Sequence, residues 1–147
     1  MKAPVTKIAL AGLVATAGVA AAMVVHLSGQ AVSNLSGDFR NAATAEVRDA
    51  QGQVLLRGTF APAAGDDNEI ERKAVLTPTV GGQAKGDAEI EYQKDKPDTQ
   101  EIEFQVSGVP ARANVTLVLD GKDVISATAN DQGKAEAEVN VAVTPQP

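Results

Sequence analysis

Beyond residue 37, apolar and polar positions alternate with a period of two. Ala88, Ile90 and Tyr92 alternate with Glu89, Glu91 and Gln93, and Ile102, Phe104 and Val106 alternate with Glu101, Glu103 and Gln105. Val115, Leu117 and Leu119 bracket Thr116 and Val118, and Ala135, Ala137, Val139 and Val141 alternate with Lys134, Glu136, Glu138 and Asn140. That period places one face of each run against a core and the other in water, which predicts strands. Less regular runs at 43–48, 54–60, 70–77 and 123–129 predict further strands. Turn chemistry separates them. Asp120-Gly121 suits a two-residue type I′ hairpin, because Asp and Gly accept positive φ, and Asp49-Ala50-Gln51-Gly52 and Asn130-Asp131-Gln132-Gly133 read as similar loops. About eight short strands with turns every eight to twelve residues predict an all-β domain, a single Greek-key, Ig-like β-sandwich over residues 38–143, with a frayed tail at 144–147.

The first 37 residues follow another pattern. Residues 1–7 are short and basic, with Lys2 and Lys7, and form a cytoplasmic n-region. Residues 8–27 carry no acidic, lysine or arginine side chain, and residues 28–37 (SGQAVSNLSG) form a polar linker. One N-terminal hydrophobic helix is expected over 8–27, and two readings of it stand. As a signal peptide it would be cleaved at Gly29-Gln30-Ala31, leaving a secreted or periplasmic domain. As an uncleaved anchor, its 20 residues rise about 30 Å as a helix, enough to cross a bilayer core. The lysines hold the N-terminus in the cytoplasm, so the C-terminal domain is extracytoplasmic in both cases. Small residues four apart, Gly12 with Thr16 and Gly18 with Ala22, would let a membrane helix pack closely on other membrane-protein subunits.

Composition narrows the chemistry. Aromatic residues make up 3% of the chain, so the core must be aliphatic. There is no cysteine, which excludes disulfides, thiolate metal sites and a cysteine nucleophile. The single histidine is His26, so the domain cannot assemble a Ser–His–Asp or imidazole metal site. Net charge is −6, with every acidic residue after position 37, and an acidic surface poor in stacking aromatics excludes nucleic acid as a partner. No cofactor is expected, because no phosphate-binding loop or dinucleotide fingerprint occurs.

Carboxylates are the remaining candidates. Asp66, Asp67, Glu69 and Glu71 form an oxygen-rich stretch of the kind that can hold Ca²⁺, although its spacing is not that of an EF-hand, and a solvated loop is the plainer reading. The second candidate is an acidic strand face of Glu89, Glu91, Glu101 and Glu103. If 88–93 and 101–106 form a hairpin over a loop at 94–99, the shared parity pairs Glu91 with Glu103 and Glu89 with Gln105. Like charges directly opposite are unfavourable, so such a face is either relieved by solvent and nearby lysine or meets a basic partner. A glycosidase-like pair of carboxylates would also need a sugar cleft.

Residues 74–110, AVLTPTVGGQAKGDAEIEYQKDKPDTQEIEFQVSGVP, resemble the strand-rich core of the CHRD domain, whose fold is similar to the Greek-key sandwich of copper/zinc superoxide dismutase. The matching features are Ala74–Thr77, the Gly86–Ile90 strand and the ending Val106–Val109. Residues 106–122, VSGVPARANVTLVLDGK, are similar to bacterial immunoglobulin-like sandwiches. The resemblance covers a third to a half of the expected sandwich and implies its fold. The His-x-His element of the CHRD pattern is absent, Pro110–Asn114 standing there instead, so dismutase chemistry is not implied.

These features lead to a non-catalytic, membrane-anchored β-sandwich, an accessory subunit or interaction module of a membrane complex. A respiratory or photosynthetic assembly is compatible, but no residue selects one. A secreted or periplasmic binding or adhesion domain is the alternative. A carboxylate-based Ca²⁺-binding or enzymatic domain is the third.

Overall fold

The computed structural model describes residues 35–143 in full, and the backbone of 25–27 and 30–31. The strands are β1 (Val25–Leu27), β2 (Gln30–Ala31), β3 (Thr44–Arg48), β4 (Val54–Thr59), β5 (Ala64–Gly65), β6 (Glu69–Pro78), β7 (Lys85–Gln93), β8 (Lys96–Ser107), β9 (Asn114–Leu119), β10 (Lys122–Thr128) and β11 (Ala135–Ala142). Strands β3, β4 and β6–β11 correspond to the eight runs read from the alternation. The short β5, without any apolar alternation, was not legible.

All pairings are antiparallel, and they join the strands in one path, β1-β11-β8-β7-β6-β4-β3-β9-β10-β2, with β5 beside β6. The result is a nearly closed, barrel-like sheet rather than two separate sheets. The corner strand β6 joins its two halves: Leu76 and the residues before it pair with β7, and Thr77 and Pro78 pair with β4. Gly58 permits this junction, because a Cβ there would lie 2.2 Å from the Val75 carbonyl oxygen. Opposite this corner β10 and β11 pack side by side without pairing, which leaves a seam.

The interior holds the apolar set of the alternating strands. Leu56, Leu76, Ile90, Ile102, Phe104, Leu117, Leu119 and Ile125 are fully buried. Each such aliphatic side chain contributes about 1.5–3 kcal/mol on leaving water, so the aliphatic core suffices without an aromatic cluster. The Asp120-Gly121 turn takes the expected form, with φ of 46° and 82° and Leu119 paired to Lys122.

The segment before β3 is less polar in behaviour than its composition suggests. Leu35, Phe39 and Ala42 are buried in the core, so the domain begins ahead of residue 38 and the linker is shorter than 28–37. A strap over residues 35–43 is tied down by buried Gln100, whose Oε1 accepts the Phe39 N–H at 2.9 Å and whose Nε2 donates to the Gly37 carbonyl at 2.6 Å. Arg72 donates to the carbonyls of Arg40 and Ala42. The expected membrane segment, including Gly12, Thr16, Gly18 and Ala22, lies outside the described residues except at Val25–Leu27, whose backbone is strand rather than the helix expected there. The tail 144–147 also lies outside them. Among the described residues no helix is long and apolar enough to cross a membrane.

Candidate functional site: an acidic sheet face

The polar positions of β6, β7, β8 and β11 share the outer face of one half of the barrel. Pairing register sets them in rows, because directly opposite residues project to the same side. One row runs Glu71, Glu91, Glu101, Asn140. The next runs Lys73, Glu89, Glu103, Glu138, and the third Val75, Asp87, Gln105, Glu136. Neighbouring strands are about 4.8 Å apart and successive rows about 6.8 Å, so carboxylates meet carboxylates both across and along the sheet.

This register corrects the sequence expectation. Glu91 faces Glu101 and Glu89 faces Glu103, not Glu103 and Gln105 respectively. The hairpin turn is Lys94-Asp95, with Gln93 opposite Lys96 and a bulge before it, instead of a loop over 94–99. The reason lies on the other side of β8. Thr99 and Gln100 pair with Ala142 and Val141 of β11, and the Val143 N–H donates to the Asp98 carbonyl at 2.8 Å. These bonds keep the Lys96–Thr99 stretch extended and shift the register by two residues. Like-charge opposition is therefore greater than expected.

Lys73 is the cation within these rows. Its ammonium donates to Glu89 and lies 3.5 Å from Asp87, whose carboxylate also accepts from the Gln105 amide at 3.3 Å. The remaining carboxylates are held in one another's field. Burial first, then the charges of Glu69, Glu71, Glu89 and Glu103, raise the Glu91 pKa. Burial, then Glu138, Glu91 and Glu103, raise that of Glu101, which also shares a hydrogen bond with Glu138. Burial, then Glu89, Glu138, Asp87 and Glu136, raise that of Glu103. The other half of the barrel contrasts with this. There Glu46 is bonded to Arg48 at 2.6 Å and Arg57 at 2.7 Å, and its pKa is lowered, chiefly by the Arg48 hydrogen bond.

The oxygen-rich stretch 66–71 is divided by the fold. Asp66 lies in the turn before β6, where its Oδ1 accepts the N–H groups of Asn68 at 2.8 Å and Glu69 at 2.9 Å; these bonds, Glu69 first, lower its pKa. Asp67 is exposed in the same turn, whereas Glu69 pairs with Gln93 and Glu71 with Glu91 on the sheet. The four do not converge, and among the described residues no group of three or more His, Cys, Asp or Glu side chains is placed to hold a metal ion.

Glu71, Asp87, Glu136 and Glu138 join the face, although sequence reading did not assign them to it. Glu136 and Glu138 were visible as polar positions of an alternating strand, but nothing local identifies β8 as the neighbour of β11. Near Glu91 and Glu101 the surface dips into a hollow of about 190 Å³ lined also by Tyr92, Gln93, Gln100 and Asn140. A larger groove of about 830 Å³ follows the rim past Pro78, Lys85, Val106 and Lys134. Chemically the face offers dense negative charge on a rigid sheet, suited to holding cations or cationic side chains. No family model, curated protein or solved structure matches the chain.

Proposed function

We propose that this chain is a non-catalytic, extracytoplasmic interaction module. It is held at a membrane through the part of the expected hydrophobic segment that precedes Val25, and serves as an accessory subunit that docks its acidic face on a basic surface of a membrane complex. The observation that carries this reading is the opposition of like charges across β7, β8 and β11. A solvated surface mixes signs, as around Glu46, whereas this face keeps its carboxylates together at a cost to the isolated domain. A basic partner surface would remove that cost on docking and gain complementarity. The fold belongs to the same reading: a flattened Greek-key arrangement, akin to the CHRD-like and immunoglobulin-like sandwiches that residues 74–122 resemble, used as a rigid platform. The small-residue stripe Gly12, Thr16, Gly18 and Ala22 supplies a second contact, within the bilayer.

The test compares full-length protein, extracted from its membranes in mild detergent, with a variant in which Glu89, Glu91, Glu101 and Glu103 are all changed to Gln. The wild type migrates on a native gel in an assembly larger than itself, and the variant migrates alone. Migration of the wild type as a free protein, or equal retention of the variant, overturns the proposal.

A further inference from the structure

We propose that the backbone stretches Val25–Leu27 and Gln30–Ala31 act together as a detachable edge cap that keeps β10 and β11 from pairing with a second copy of this chain. The seam between these strands is the place where the sheet fails to close on itself. β10 is hydrogen-bonded along one side to β9, and β11 along one side to β8. The consecutive strands β10 and β11 lie in different halves of the barrel, joined by a tight loop in which the Asn130 N–H donates to the Lys134 carbonyl at 2.8 Å. Their facing edges therefore present N–H and C=O groups that the barrel itself does not use.

One short piece of chain covers both edges. Val25, His26 and Leu27 are in register with Val139, Glu138 and Ala137, and Gln30 and Ala31 are in register with Ser126 and Ile125. The chain thus leaves one edge and reaches the other within a few residues. This pairing is short: three residues against the eight of β11, and two against the seven of β10. A cover that small opens far more readily than the core strands. Once it opens, two antiparallel edges with buried apolar faces are the usual template for edge-to-edge association, and a second copy supplies matching edges. The inference does not rest on the membrane or docking reading, because it concerns only backbone pairing in the seam.

The test uses the full chain in density-matched detergent, with His26→Pro and Gln30→Pro combined. Proline has no N–H and is excluded from paired central positions. Amide hydrogen exchange at Ser126 and Glu138, whose N–H groups turn away from β9 and β8 toward Gln30 and His26, reads the seam, and exchange at Ala88 and Ile90 reports on the rest of the fold. In dilute solution the seam amides of the variant exchange at least about tenfold faster than those of the wild type. As its concentration rises, they regain protection while the sedimenting protein mass rises to about twice that of the protomer. The wild type stays a monomer throughout. Unchanged seam exchange in the variant, fast exchange with monomer mass at every concentration, or lost protection at Ala88 and Ile90 would each overturn the proposal.

Discussion

Neutralising Glu103 should stabilise the domain. Glu103 stands directly between Glu89 on β7 and Glu138 on β11, so Glu103→Gln removes two opposed like-charge pairs and keeps side-chain volume and hydrogen-bonding capacity. Each such pair costs roughly 0.2–1 kcal/mol, and Lys73 already offsets part of the Glu89 charge. The expected gain at pH 7 is about 1 kcal/mol, which for a domain of this size raises the melting temperature by about 4 °C. Glu136→Gln is the comparison, because Glu136 is exposed and lies opposite Gln105, so it has no carboxylate directly across from it and acts on Glu103 only through a weaker diagonal field. The pairs are about one strand spacing apart, inside the Debye length of about 8 Å at 0.15 M salt and outside that of about 3 Å at 1 M. Thermal melts of both variants, in 0.15 M and 1 M NaCl, decide the matter. A Glu103→Gln gain no larger than that of Glu136→Gln, or one unaltered by 1 M salt, would refute the argument that charge opposition sets the cost.

The pH profile should follow from two sets of carboxylates. Glu91, Glu101 and Glu103 have folded pKa values above the ordinary 4.5, so their penalty is absent below 4.5 and grows as pH rises through the raised values. Asp38 and Asp120 have folded values below the ordinary 3.8; at Asp120 burial acts upward but the Thr44 and Ala43 donors outweigh it. The support they give is lost as pH falls below 3.8, so denaturant midpoints should peak in mildly acidic buffer, and a peak at or above pH 7 would contradict this. Gln100→Leu leaves the Phe39 N–H and Gly37 carbonyl without their partner and should cost about 2–4 kcal/mol in urea unfolding, with faster exchange at Phe39. Gly58→Ala drives a Cβ into the Val75 carbonyl and should cost about 1–3 kcal/mol, whereas Gly52→Ala, at a positive-φ turn with open space, should cost less.

Strand content was legible because burial on one face imposes a period of two that survives in a single sequence, as in Ala135–Val141. Neighbour relations were not. Alternation in Glu101–Val106 says that one side is wet, but not that β11 lies beside it, and the acidic face depends on that adjacency. The hairpin register failed for a related reason: Lys96–Thr99 looks like a loop by composition, and it is held extended by partners distant in sequence, Ala142 opposite Thr99 and the Val143 N–H on the Asp98 carbonyl. The burial of Leu35 and Phe39 was not legible, because isolated apolar residues in a polar stretch carry no period.

The pairing of β3 with β9 also bears on the order in which the chain becomes available. Ala45 meets Leu119, and Val47 meets Leu117. During vectorial synthesis or passage through a pore, the β3–β4 hairpin emerges first and waits, one edge bare, until the stretch around residue 119 follows. The β6–β7–β8 meander and the β9–β10 hairpin close with near neighbours and can form promptly. The early hairpin is therefore where a nascent chain is most exposed to mispairing, and where a holding chaperone would find its target.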